Sequence, residues 1–357
     1  MTHTSFQISA NLKSHFWRGA SLLIILLLGC HSVAWADGIS GYFFGDYYYA
    51  AKSHDSALDN RSGFQYRRIY FTYDKALSDE LSTRLRLEMN SPSFPAAGEK
   101  KRLEPFVKHA YLQWKNPAWR TASYFGLSGT PTWANIEKVW GYRHVTKTLL
   151  DLQKLAGSTD FGAAVKGNID AEKKLSYHLM VANGMGTSGE IDQNKKVYLS
   201  VAARPISGVV AEVYADVGDT EGGLNQRTVQ GFLGYQHDIF RLGVQAANQT
   251  REQDDTAEDL NLTGISVFAA AQITENRVWG FARFDRMFSA NPDGERISYT
   301  PYSDTAKSNT IIIGLDWKVI KDLNIIPNLF LVFYDQPDAG DKPNTDIMPR
   351  LTAFFRF

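Results

Sequence analysis

The 357 residues include a single cysteine, Cys30, close to the N-terminus. A disulfide framework, a thiolate metal site and a cysteine nucleophile are therefore excluded for the body of the protein. An excess of charge of either sign is also missing, because 38 Lys and Arg residues balance 38 Asp and Glu. A nucleic-acid binder normally carries a basic bias, so no nucleic-acid partner is expected. After residue 36 no apolar run reaches the ~20 residues of a membrane-spanning helix. Catalytic signatures are scarce too. His109, His144, His178 and His237 are available as bases, yet neither G-x-S-x-G nor H-E-x-x-H accompanies them. No enzyme activity and no catalytic residue are expected. Asp216-Val217-Gly218-Asp219 and Asp254-Asp255 read as solvated acidic tips rather than calcium loops, so neither a metal nor a cofactor is expected.

What is present begins with a leader. Lys13, His15 and Arg18 precede the apolar run Ala20–Gly29, and no acid occurs before Asp37. A run of about ten residues is too short to span a bilayer and fits a secretory core, with Ala34-Trp35-Ala36 as an A-x-A cleavage site. Leu27-Leu28-Gly29-Cys30 offers a competing lipoprotein pattern in which Cys30 is lipidated and becomes the first residue. Cleavage after Ala36 is the expected course, because the next segment enters a strand almost at once. Residues 1–36 are then a signal peptide, and residues 37–357 a mature chain without cysteine.

The mature chain reads as about sixteen strands, at approximately 38–51, 64–75, 81–90, 105–115, 120–127, 160–169, 175–183, 196–205, 209–218, 227–237, 240–250, 262–273, 277–289, 309–319, 323–334 and 347–357. Several alternate cleanly: Leu85, Leu87 and Met89 oppose Arg84, Arg86 and Glu88, and Val197, Leu199 and Val201 oppose Lys196, Tyr198 and Ser200. Ile347–Phe357 keeps the alternation to the last residue, as a strand that closes a barrel against the first would. Connections alternate as well, tight after even strands and long and polar after odd ones. The fold class expected is all-β: a transmembrane antiparallel barrel with short periplasmic turns and long extracellular loops, in a bacterial outer membrane. Tyr70, Tyr73, Trp114, Trp119, Trp317, Phe355 and Phe357 lie near the expected turn ends and are candidates for an interfacial girdle.

About sixteen strands enclose an aqueous lumen, so function depends on what narrows and lines it. The third long connection, 128–159, is too long and too apolar for a loop in water, with Trp133, Val139, Trp140, Leu149, Leu150 and Leu152. It is expected to fold into the barrel and to set a constriction from Lys138, Arg143, His144, Lys147 and Lys154 against Glu137 and Asp151. Alternation assigns Arg68, Arg84, Arg86, Lys166, Lys196, Arg204, Arg241, Arg283, Arg350 and Arg356 to the lumen. Inward acids are fewer: Glu88, Glu212, Asp216, Asp285 and Asp316. A basic lining favours anions mildly.

The run GFQYRRIYFTY, the run KVWGYRHVTKTLLDLQKLAGSTDFGAAVKG and the aromatic C-terminus resemble the porin family that includes phosphate-selective porins O and P. Arg67-Arg68 and Asp160-x-Gly162 are the best anchors. The resemblance implies a sixteen-stranded, usually trimeric outer-membrane channel with an inward-folded third loop. The chain shows no dense arginine ladder, so the likeness carries the porin architecture rather than the solute. The function expected is a diffusion channel for small hydrophilic solutes. Its expected partners are membrane lipid, the barrel-assembly machinery through the last strand, and two further copies of itself. Alternatives are a dedicated sugar or phosphate channel, with Tyr47, Tyr49, Tyr111, Tyr124, Tyr198 and Tyr214 as inward aromatics, and a hydrolase or adhesin barrel.

Overall fold

The computed structural model describes residues 38–91, 94, 102–191, 193–219, 224–253, 258–275 and 277–357. The leader with Cys30, and the pair Asp254-Asp255, lie outside the described residues. Gly38–Phe357 forms one compact unit. Its strands are β1 (Gly38–Ala50), β2 (Arg61–Ala76), β3 (Leu81–Met89), β4 (Phe106–Asn116), β5 (Thr121–Gly129), β6 (Thr159–Asn168), β7 (Leu175–Ala182), β8 (Lys196–Ala203), β9 (Val209–Asp219), β10 (Asn225–Gln236), β11 (Phe240–Arg251), β12 (Leu260–Thr274), β13 (Val278–Met287), β14 (Ser308–Ile320), β15 (Leu323–Tyr334) and β16 (Asp346–Arg356). Each expected strand forms, with its ends within three residues of the sequence reading. Every strand pairs antiparallel with its chain neighbours, and β1 pairs with β16 to close the barrel, Asp46 opposite Thr352 and Tyr48 opposite Arg350.

The pleat sends alternate residues to opposite faces, and the faces are inverted relative to a water-soluble sandwich. On β10, Val229 and Leu233 are exposed while Thr228 and Gln230 are buried. Gln245, Gln249, Ser266, Thr310 and Thr352 continue the polar interior. An apolar exterior around a polar interior suits a barrel solvated by lipid outside.

Among the described residues four register shifts break the alternation, two of them at the turn ends of β12 and β14 and two within the first four strands. Phe44 pairs with Arg68 and Gly45 with Tyr66, which leaves Arg67 as an extra residue, and both arginines point inward and are buried. Arg86 pairs with His109 and Leu87 with Val107, which leaves Lys108 extra beside the buried His109. Each of these last two bulges, by opposing two residues to one, adds a basic side chain to the lumen.

The register also corrects three aromatic assignments. Tyr47 and Tyr49 are exposed on the outer face, and Tyr48 points inward instead. Three consecutive tyrosines carry no alternation of their own, so the pairing of β1 with β16 decides the phase. Tyr70 is buried on the inner face rather than in a girdle, because the Arg67 bulge shifts the phase of β2.

Candidate functional site

Residues 130–158 leave the loop end of β5, where turns would be expected to stay in water. Instead they contribute α1 (Ala134–Trp140) and α2 (Leu149–Leu152). In α1 the apolar residues Ile136, Val139 and Trp140 fall at i, i+3 and i+4, one helical face. That face is buried on β10, β11 and β12. Trp140 packs on Phe268 and Phe281, with ring centroids 5.1 and 5.9 Å away. Gly141 ends the helix at φ 72°, its N–H donating to the Glu137 carbonyl at 2.8 Å. A side chain there would displace the flexible guanidinium of Arg241, and the left-handed backbone is what calls for glycine. Asp160 and Gly162 secure the return into β6. The Asp160 carboxylate accepts from the backbone N–H groups of Phe161 and Gly184 and from the Tyr198 hydroxyl. A β-carbon on Gly162 would lie 2.2 Å from the Val181 carbonyl oxygen.

Across the centre runs a cluster of paired charges. Arg67, from the β2 bulge, donates to the carbonyls of His144 and Val145 and to Asp46. Arg68 and Lys108 both meet Glu88, at 3.0 and 3.5 Å. Arg143 pairs with Glu137 at 3.2 Å and Asp151 at 3.3 Å, and Lys147 with Asp151 at 3.3 Å. Tyr299, from the connection between β13 and β14, accepts from Arg143 at 2.7 Å. The Arg67, Arg143 and Lys147 charges stand 4.7, 5.5 and 5.5 Å from its ring centre. Burial opposes ionisation of Asp151, but Lys147 and Arg143 outweigh it and hold the carboxyl down to about 2. Burial raises Glu137 above the usual carboxylate range, against the pull of Arg143.

Of the seven constriction candidates, Glu137, Arg143, Lys147 and Asp151 come together in this cluster. The other three do not. His144 is buried and stacks on Phe354, centroids 4.4 Å apart and planes at 11°, so it packs against the wall. Lys154 is exposed in a left-handed turn at φ 58°. Lys138 lies on the far face of α1 from Trp140 and points to the turn side. Helical periodicity and the fold of the loop separate residues that adjacency in sequence groups together.

The wall residues divide by partner. Arg84 holds Asp74 through two hydrogen bonds of 2.7 and 2.9 Å. Lys196 pairs with Asp216 at 2.9 Å, and Arg283 with Asp285 at 2.6 Å. Arg350 is buried and donates to the Tyr299 carbonyl and the Thr300 hydroxyl. Arg356, at the turn end of β16, is exposed and lies over Phe354. Arg86 donates to Thr72 at 2.8 Å and covers Tyr70. Lys166 lies 4.6 Å from the Tyr124 ring centre, and Arg241 sits between Tyr142 and Trp279. Arg204 donates to Ser176 at 2.8 Å and Asn135 at 2.7 Å. Among the described residues, Arg86, Lys166, Arg204, Arg241 and Arg356 have no carboxylate at ion-pair distance.

Two cavities open at the turn side. One of about 730 Å³ is lined by Lys138, Lys173, Lys174, Arg204 and Arg241, with Glu172 and Asp238 as its acids. The other, of about 450 Å³, shares Asn135 and Arg204 with the first. Asn135 and Lys138 of α1 therefore line spaces bounded by residues of the opposite, turn end, such as Arg120 and Gly208.

Four lumen residues escaped alternation: Arg67, Lys108, Asp46 and Tyr299. For the first two a signal exists. The outward apolar residues Phe64 and Tyr66 are followed by Ile69 and Phe71, and Val107 by Ala110 and Leu112, each a gap of three where two is regular. Tyr299 carries no such signal, because its placement depends on a loop folding inward.

No family model matches the chain, and no curated protein sequence does. Solved structures match over nearly the whole barrel. An anion-selective porin from Comamonas acidovorans aligns over 90% of this chain and 99% of its own, with a TM-score of 0.65 and 13% identity. The outer membrane channel DcaP of Acinetobacter baumannii aligns over 90% and 96%, at 0.62 and 12%. OmpF of Salmonella typhi, in complex with daunomycin, aligns over 90% and 97%, at 0.63 and 14%. The chain thus has the closed sixteen-strand architecture of the outer-membrane porins, at an identity where only the fold is shared.

Proposed function

We propose that the protein is an outer-membrane porin, a diffusion channel for small hydrophilic solutes that favours anions mildly. The observation that carries the reading is the inner wall, where, among the described residues, Arg86, Lys166, Arg204, Arg241 and Arg356 have no carboxylate at ion-pair distance. Uncompensated cations lower the electrostatic barrier to anions and raise it to cations. The porin fold and the anion-selective porin among its structural neighbours support the same reading. In this proposal residues 1–36 are the cleaved leader, the segment 128–159 is the inward-folded loop, and short turns face the periplasm. The Vibrio cholerae OmpT, solved in a trimer form with a TM-score of 0.58 and 10% identity, supports a homotrimer. The likeness to the family of phosphate-selective porins O and P supports the channel architecture and leaves the particular anion open. Planar-bilayer recording on the purified protein tests it. Pores with a reversal potential displaced toward chloride in a salt gradient are expected. Absence of a pore, or a clear cation preference, would overturn the reading.

A further inference from the structure

The smaller turn-side cavity has the chemistry of a binding site rather than of a passage. Its volume, about 450 Å³, is that of a small-solute pocket. Four cations line it, Lys115, Arg120, Lys166 and Arg204, and no Asp or Glu does. These positions lie far apart in sequence and come together only because β4 to β8 are neighbours in the barrel.

The cations in this cavity are held by neutral groups. Arg204 is fixed through Ser176 and Asn135, both uncharged, so its geometry is set without a carboxylate at ion-pair distance, Glu212 being reached only through Asn135. Lys166 rests over the Tyr124 ring. Beside it in register is His178, whose Nε2 is buried without a hydrogen-bond partner. Glu212, the nearby carboxylate, accepts from Asn135 and, at 2.9 Å, from Ser200 through one oxygen, while its other oxygen is buried without a partner. A half-buried cation without a counter-charge and a buried ring nitrogen without a partner both cost free energy unless a ligand satisfies them. One group satisfies both: an oxyanion, which accepts charge-assisted hydrogen bonds from Lys166 and Arg204 and another from the Nε2–H of a neutral His178. Asn135 and Arg204 also line the larger cavity, which gives the site continuity with the turn-side opening.

We propose that this cavity is a saturable subsite for a small oxyanion, a carboxylate or phosphate group, with Lys166 and Arg204 as its binding cations and His178 and Asn135 as neutral partners. The proposal rests on the porin reading, since it gives that channel a place where its anions pause.

Titration calorimetry on the full-length purified protein in detergent tests it, with succinate and inorganic phosphate as probes. Saturable binding of at least one is expected, and the tighter of the two names the source. Lys166→Gln and Arg204→Gln should each weaken that binding by about tenfold, whereas Lys342→Gln, in an exposed loop, should leave it unchanged. His178→Ala should weaken it less than either. Retained far-UV circular dichroism and the heat-modifiable gel shift would show that the variants still fold. Flat titrations with both probes, or binding that survives in Lys166→Gln and Arg204→Gln alike, would overturn the subsite. Bilayer recording keeps the two readings apart. Anion-conducting pores with flat titrations remove the subsite alone, and saturable binding without pores removes the channel alone.

Discussion

The centre of the barrel and its turn-side floor are built from the same residue types and differ in how the charges are matched. In the centre, Arg67, Arg68, Lys108, Arg143 and Lys147 each meet Asp46, Glu88, Glu137 or Asp151. On the floor, Lys166, Arg204 and Arg241 meet hydroxyls, amides and aromatic rings. A matched cation has its charge compensated and acts as a fastener: Glu88 joins β2, β3 and β4, the Arg143 and Lys147 pairs hold the inward loop to itself, and Arg67 and Lys108 reach that loop at the His144 and Val145 carbonyls and at Ser158. An unmatched cation keeps its field for whatever enters. Counting basic residues on the wall therefore overstates what the solute meets.

The largest change should follow from removing the fastened element. A chain lacking Asn135–Lys154 loses Trp140, Tyr142 and the helices that fill the interior. Its single-channel conductance should rise by about twofold or more, while the anion preference persists because the floor cations remain. An unchanged conductance would place the loop outside the path.

Next in size is a break within the centre. Arg67→Met leaves Asp46 buried without its cation and leaves the carbonyls of His144 and Val145 without a donor. Removing one partner of a buried pair costs ~3–5 kcal/mol, and urea unfolding followed by tryptophan fluorescence should show a loss of that order. Ion preference should barely move, because Arg67 is matched. A large change in reversal potential would blur the distinction between the two regions.

Gly141→Ala probes the join between them. It forces a left-handed residue and pushes on Arg241, a floor cation. A loss of ~1–3 kcal/mol is expected, together with a small change in reversal potential. Stability unchanged by the substitution would deny the left-handed constraint at Gly141, and an unchanged reversal potential would deny the close approach of Arg241.

The smallest effect lies at the loop-side rim. His54 Nδ1 is 2.8 Å from Asp346 and Nε2 3.0 Å from Glu295, which links the first long loop to β16 and to the connection after β13. Burial opposes the imidazolium, but Asp346 and Glu295 outweigh it and raise His54 above its ordinary value. A raised folded-state value means the tether is fully present below the ordinary histidine range, near 6.5, and is lost as pH rises through the folded value. Hydrogen exchange of residues 51–60 should therefore quicken with rising pH beyond its intrinsic rate, by about tenfold or less. The His54→Gln variant should lack that excess. An excess of equal size in the variant would remove His54 as the cause.

Lipid and water sort the two faces of a strand, and a period of two records that sorting in any ten residues. This is why the sixteen strands, the inward arginines of β3, and Met348, Arg350, Thr352 and Phe354 of the last strand could be read from the chain alone. A local pattern is silent where it is uniform, as at Tyr47-Tyr48-Tyr49, and where it slips, as at Arg67 and Lys108. There the pairing partner decides. The central charge cluster was legible only in part, because helix periodicity turned Lys138 away from it and aromatic stacking took His144 out of it.

By itself, then, the amino-acid pattern determined the barrel, a count of about sixteen strands, and the residues of the long third connection that could not stay in water. Only the tertiary structure decided which cations are matched. That matching is a property of pairs such as Arg67 with Asp46, 21 residues apart, or of gaps such as that between Lys166 and Arg204. Coulomb energy depends on distance in space and on the local dielectric, and neither is written along the chain.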